Sequence, residues 1–135
     1  MHGALCYPSG ESYFRTLLRM DAYSVQQFCE ALLADHPDQQ IWLIMDGAPA
    51  HRSKAFTEFL KRHKRLHVQF QPTYAPWTNP VERVWQEMRR WVTHGHGIPD
   101  FRELVRVADR WCRRFQADPA AARKLASFAD ADPCR

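Results

Sequence analysis

No stretch of this chain approaches the ~18 consecutive apolar residues that a membrane span requires, and the opening Met1-His2-Gly3-Ala4-Leu5-Cys6 lacks a basic region followed by a long apolar one. Those absences make a cytoplasmic protein with no membrane partner the expectation. There is no CxxC pair either. Cys6, Cys29, Cys112 and Cys134 are scattered, which argues against a zinc knuckle and against a disulfide framework and leaves reduced thiols that serve mostly as packing residues. No internal repeat and no low-complexity tract interrupts the sequence. At 135 residues, 45% of them hydrophobic, the chain has the material for one packed domain and too little for two comfortable ones.

What is present is positive charge in clusters. The net charge is +4 and the isoelectric point about 9.1. Lys61, Arg62, Lys64 and Arg65 form one run, Arg83, Arg89 and Arg90 a second group, and Arg110, Arg113 and Arg114 a third. A polyanion such as DNA fits that distribution, and so do ordinary solvated helix faces; charge alone does not separate the two.

The hydrophobic pattern predicts an α/β order. Gly3 to Tyr7 and Tyr13 to Leu18, on either side of the turn signal Pro8-Ser9-Gly10, read as a hairpin of two strands. From Ser24, taken as N-cap, Val25, Phe28, Cys29, Leu32 and Leu33 recur at helical spacing until His36-Pro37. The apolar run Ile41 to Met45 reads as a buried strand. A helix from about Ser53 follows, with Phe56, Phe59 and Leu60 on one face, and then a short strand from Leu66 to Phe70. Asn79 opens a helix on which Val81, Trp85, Met88 and Val92 share a face; further helices are expected over about Phe101 to Phe115 and Ala120 to Phe128. The segment His94-Gly95-His96-Gly97-Ile98-Pro99 has the look of an HxH metal pair, but flanking glycines and the lack of a third ligand nearby make it a hinge within one domain.

Two acids stand out by position. Asp46 ends the Ile41–Met45 strand, and strand ends are where α/β folds commonly carry chemistry. Glu82 begins a helix after the stiff, proline-punctuated stretch Gln71 to Pro80. Magnesium takes oxygen ligands and is usually held by a few carboxylates together with substrate phosphate oxygens, so the pair points to a metal site. Each acid also has a purely structural reading. Asp46 before Gly47 fits a turn, and Asn79, Pro80 and Glu82 at N-cap, N1 and N3 fit a capping arrangement that needs no metal.

Asp46-Gly47-Ala48-Pro49-Ala50-His51, with Tyr74-Ala75-Pro76-Trp77-Thr78-Asn79-Pro80-Val81-Glu82-Arg83-Val84-Trp85, resembles the catalytic core of the IS630/Tc1/mariner transposases, DDE enzymes with an RNase H-like fold. The likeness covers roughly residues 3 to 92, with Ala75 where the family usually has Ser and Thr78 where it usually has Leu. It implies an α/β mixed sheet flanked by helices, with a helical C-terminal part, as a single catalytic-core domain over residues 1–135. By the same likeness Asp46 and Glu82 match the second and third of three metal-binding carboxylates, which together would hold two Mg2+ or Mn2+ ions. His51 matches the family's histidine five positions after the aspartate, where it would contact phosphate or orient a water, against a capping or surface role. Tyr74 and Trp77 would brace the loop or stack on a base, and Asn79 would cap the helix and so fix Glu82. The family's first catalytic Asp lies on a strand upstream of the one resembling Gly3 to Tyr7, so it is expected outside this chain, as is the end-recognising helix-turn-helix region. Glu11 and Asp21, the nearest upstream acids, read as turn residues.

The resemblance implies metal-dependent cleavage of double-stranded DNA and transfer of the freed 3′ hydroxyl to target DNA. Lys61, Arg62, Lys64, Arg65, Arg83, Arg89 and Arg90 would be the DNA-binding residues. The competing expectation is a partial transposase that binds DNA or associates with a full-length transposase, or with another copy of itself, without cleaving. A first acid carried on a separate polypeptide is a third.

Overall fold

The computed structural model of the 135-residue chain describes residues 1–17, 19–72, 79–93, 97 and 100–126. In order, its elements are β1 (His2–Leu5), β2 (Ser12–Arg15), α1 (Ala22–Asp35), β3 (Ile41–Met45), α2 (Lys54–Arg62), β4 (Leu66–Phe70), α3 (Pro80–Thr93), α4 (Phe101–Gln116) and α5 (Pro119–Ala126). This is the expected succession, with β3 and β4 at the expected bounds. Among the described residues the strands form two sheets of two strands each, β1 with β2 and β3 with β4. The chain divides into two compact units, one of Met1–His2 and Leu17–Thr78, the other of Gly3–Thr16 and Asn79–Arg135. No helix among the described residues is long and apolar enough to cross a membrane.

In the first unit β3 and β4 run parallel, paired from Ile41 opposite Leu66 to Met45 opposite Phe70. The ladder continues at both ends, where Ile41 N–H donates to the Arg65 carbonyl (2.7 Å) and Gln71 N–H to the Met45 carbonyl (2.9 Å). Because side chains alternate along a strand, Ile41, Leu43, Met45, Leu66 and Val68 can share a face. That face packs against Val25, Cys29 and Leu33 of α1 and Phe56 and Phe59 of α2. Each large side chain so buried contributes about 1.5–3 kcal/mol. The alternate positions Trp42 and Ile44 are exposed, and Trp42 stacks on its register partner His67 at 4.4 Å between ring centroids.

The start of α1 differs from the expectation. Its N-cap is Asp21, and Ser24 is the third helical residue. Ser24 N–H donates to Asp21 Oδ1 (2.9 Å) while Asp21 N–H donates to Ser24 Oγ (3.0 Å), so two otherwise orphaned donors are satisfied reciprocally. Hydrogen bonding from the Ser24 N–H holds the Asp21 carboxyl below its ordinary value. Ser24 Oγ also meets His2 Nε2 at 3.0 Å, and the His2 ring stacks on Phe28.

The second unit joins the β1–β2 pair to three helices. Cys6 N–H donates to the Glu11 carbonyl and Gly10 N–H to the Cys6 carbonyl, closing a turn in which Gly10 has φ +80° and abuts the Pro119 carbonyl. Glu11 is indeed a turn residue, its carboxylate accepting from Ser9 Oγ. Phe14 of β2 meets Trp85 of α3 and Phe115 of α4 edge-on. Gly3 lets those rings close in, since a Cβ there would stand 2.7 Å from ring carbons of both Phe14 and Trp85. Trp111, Cys112 and Phe115 of α4 and Ala122 and Ala126 of α5 complete the core. On α3 the fully buried residue is Val84, with Val92 beside it, while Val81, Trp85 and Met88 are half-buried. The α3 core face is therefore centred on Val84 and not on Val81. Of the proposed hinge, only Gly97 is among the described residues.

Candidate active site

Asp46 is the residue after β3, where the backbone leaves the sheet. Its Oδ1 accepts from Ala48 N–H at 3.1 Å, which closes the turn the Asp-Gly pair implies. The same oxygen lies 2.6 Å from His51 Nδ1, and the Asp46 carbonyl lies 3.1 Å from that nitrogen. Both partners are acceptors, so Nδ1 carries the hydrogen and donates it. Asp46 Oδ2 and His51 Nε2 make no hydrogen bond with any described residue. The imidazole is 19% exposed and the carboxylate 58% exposed, so a largely enclosed ring holds one edge of an open acid.

His51 is itself fixed. Backbone bonds from His51 N–H and Arg52 N–H to the Ala48 carbonyl (2.9 and 3.2 Å) wind the turn. Ser53 then caps α2, its Oγ accepting from Phe56 N–H at 3.2 Å and donating to the Ala50 carbonyl at 2.9 Å. The cap therefore ties the Asp46–His51 turn to a helix anchored in the core by Phe56 and Phe59.

In the second unit Asn79 precedes α3, and its Oδ1 accepts from Val81 N–H at 3.3 Å. Asn79 thus caps the helix as expected. The reciprocal half of a capping box is not made. The half-buried Glu82 has no hydrogen bond or ion pair through its carboxylate among the described residues, so the helix end does not consume it. An acid in the first turn is nonetheless favoured by the helix dipole. Tyr74, Trp77, His94 and His96 lie outside the described residues.

The basic residues sort into different environments. Lys61, Arg62 and Lys64 are exposed around the end of α2, with Lys61 paired to Glu58 at 2.8 Å. Arg65 is engaged in the fold: its guanidinium donates to the carbonyls of Leu33 (3.1 Å) and His36 (2.6 Å) at the end of α1 and of Gln39 (2.8 Å) in the loop after it. Arg83, Arg89 and Arg90 are exposed on α3, with Arg90 also paired to Glu87.

The carboxylate oxygens of Asp46, and separately those of Glu82, are hard donors of the kind magnesium and manganese take, so the chemistry of each residue fits a divalent ion. Among the described residues no group of three or more His, Cys, Asp or Glu side chains is gathered to hold one.

Comparison with known proteins bears on this geometry. Residues 1–105 match the family model described as DDE superfamily endonuclease. The insertion element IS630 uncharacterized 39 kDa protein of Shigella sonnei is 30% identical over 86 residues, which are 64% of this chain. The chain spans 25% of that relative's length. Among solved structures, the Mos1 transposase paired-end complex with left transposon end matches with a TM-score of 0.57 and 18% identity, over 81% of this chain and 36% of that one. The likeness is one of fold and places these elements in the RNase H-like α/β class.

Proposed function

This chain belongs to the DDE superfamily endonucleases, of the IS630/Tc1/mariner transposase type, and from that premise we propose that it serves the cleavage and joining of DNA strands in transposition, with Asp46 and Glu82 as metal-holding carboxylates. The supporting observation is the Asp46 turn. A strand-end carboxylate inside the family-matched segment has one oxygen fixed by His51 and the other open to solvent.

A divalent ion held between such carboxylates and substrate phosphate oxygens would activate a water or a 3′ hydroxyl and stabilise the leaving oxygen of an in-line displacement at phosphorus. The chain's own residues do the positioning. His51 keeps Asp46 in one rotamer by donating from Nδ1, as the hydrogen-bonding partners of metal-bound carboxylates do. Asn79 fixes the first turn of α3 and with it the backbone of Glu82. Lys61, Arg62 and Lys64 on one unit and Arg83, Arg89 and Arg90 on the other would meet the DNA backbone, whose phosphates dominate affinity. Transposon ends and target DNA are the substrates this reading assigns.

Within a transposase that cleaves DNA, Asp46→Asn or Glu82→Gln is expected to abolish cleavage while DNA binding, read by gel shift, persists. Full cleavage by either variant would refute its assignment. In a second reading this chain, which spans 25% of the length of the IS630 relative, binds DNA or a longer transposase without cleaving. Incubating the chain alone with transposon-end DNA and Mn2+ separates the two, since strand nicking that vanishes in Asp46→Asn belongs only to the first.

A further inference from the structure

Arg52 sits in the turn between His51 and the Ser53 cap, and its guanidinium lies over the ring of Phe70 with Cζ 4.8 Å from the centroid. Phe70 ends β4 and is the register partner of Met45, the residue before Asp46. The guanidinium therefore stands at the same edge of the β3–β4 pair as the Asp46 carboxylate. Residue 47 makes room for it. A Cβ at Gly47 would stand 2.6 Å from Arg52 Nε and 2.9 Å from Nη2. A glycine on one side and an aromatic face on the other thus locate this cation.

Its donors are nonetheless unused. The Arg52 guanidinium makes no hydrogen bond and no ion pair with any described residue. Four other arginines have their guanidinium engaged: Arg65 donates to three carbonyls, and Arg90, Arg106 and Arg113 each meet a carboxylate one turn away. Asp46 does not occupy the Arg52 fork: its Oδ1 is held by His51 and Ala48 N–H, and no ion pair joins its carboxylate to Arg52. A planar guanidinium stacked on an aromatic, with its N–H groups facing solvent, presents the fork that binds two oxygens of one phosphate.

We infer that Arg52 binds a phosphodiester of the DNA backbone beside Asp46, seating the strand on which that carboxylate acts. The inference rests on the DNA-processing reading above and extends it to a residue outside the acid motifs.

The test is fluorescence anisotropy of a short labelled duplex with the 135-residue chain over a series of NaCl concentrations, using the parent, Arg52→Ala, Arg52→Lys, Gly47→Ala and the Gly47→Ala/Arg52→Ala double variant. Arg52→Ala is expected to weaken binding roughly threefold to tenfold and to lower the slope of log K against log salt by about one. Arg52→Lys is expected to keep the slope but recover only part of the affinity, since it retains the charge and loses the fork. Gly47 has a backbone that alanine adopts, and the atoms its Cβ would meet are the mobile end of Arg52. Gly47→Ala should therefore melt like the parent, displace the guanidinium, weaken binding by a similar factor and add nothing to Arg52→Ala. That variant keeps the test valid even where Arg52→Ala lowers the melting temperature. A parent that binds, with Arg52→Ala and Gly47→Ala binding equally well at the same slope, would overturn the Arg52 assignment and leave the DNA reading standing. A parent that fails to bind the duplex at low salt would overturn both.

Discussion

His51 Nδ1 and Asp46 Oδ1 lie 2.6 Å apart, with the ring mostly enclosed and the carboxylate mostly open. The enclosed partner is the one that cannot easily move, so the imidazole sets where the acid points. Where a carboxylate holds a metal, loss of such a partner typically costs 10–100-fold in affinity. His51→Ala is accordingly expected to weaken Mn2+ binding by about tenfold, read by the loss of the free Mn2+ electron paramagnetic resonance signal on titration. Unchanged Mn2+ affinity in a folded His51→Ala chain would reduce the contact to a brace for the turn.

Arg65 gives a contrasting case within the basic run. Its bonds satisfy the Leu33 and His36 carbonyls at the end of α1, which the helix itself leaves open, and the Gln39 carbonyl in the loop that follows. Arg65→Met is expected to destabilise the chain by about 2 kcal/mol, since bonds from a charged donor to such acceptors are among the stronger ones. Lysine should rescue little, lacking the fork. Lys64→Ala should instead leave the melting temperature in place and lower the salt dependence of DNA binding by about one. Thermal melts and salt titrations of the two variants check both halves, and a Lys64→Ala chain that melts early with an unaltered salt slope would reverse the assignments.

Sequence pattern reached the elements whose causes are local. The bounds of β3 and β4 follow from short apolar runs between polar breaks, and the start of α2 near Ser53 from the apolar face that follows it. The sequence reading puts the N-cap of α1 at Ser24, and only the reciprocal bonds between Ser24 and Asp21 give that role to Asp21. Whether Glu82 is taken up by its helix end was open, since Asn79-Pro80-Val81-Glu82 suits a capping box whether or not the carboxylate closes it. The role of Arg65 was not legible at all, because its acceptors come from 26, 29 and 32 residues earlier in the chain. Arg52 likewise carries no local mark: Gly47 and Phe70 define its place only once β3 and β4 are paired.

His2 supplies a pH dependence with a definite sign. Burial, and then the positive chain terminus, lower its pKa from the ordinary 6.5. The unfolded chain therefore takes up a proton more readily than the folded one. The stability contributed by neutral His2, which meets Ser24 Oγ at 3.0 Å, is fully present above pH 6.5 and declines as pH falls through the lower folded value. Melting temperatures measured from about pH 7.5 down to pH 5 should fall more steeply for the parent than for His2→Gln. Parallel curves would mean that the folded and unfolded chains hold that proton equally.

The two buried thiols report on the two units separately. Cys29, fully buried on α1, and Cys112, buried on α4, both have thiol pKa values pushed up to about 12 by burial, while Cys6 is exposed just after β1. Since the thiolate is the reactive form, native labelling with iodoacetamide, followed by peptide mass spectrometry, should modify Cys6 first and leave Cys29 and Cys112 to react only as the fold opens. If residues 1–135 act as one catalytic-core domain, opening exposes both thiols in the same event, and their labelling rates should agree within about a factor of two and rise together with guanidinium. A Cys112 that reacts far ahead of Cys29 would instead mean that α3, α4 and α5 open independently of the β3–β4 unit. Asp46 and Glu82 would then be held by bodies of different stability, and any acid pairing between them would depend on what brings those bodies together.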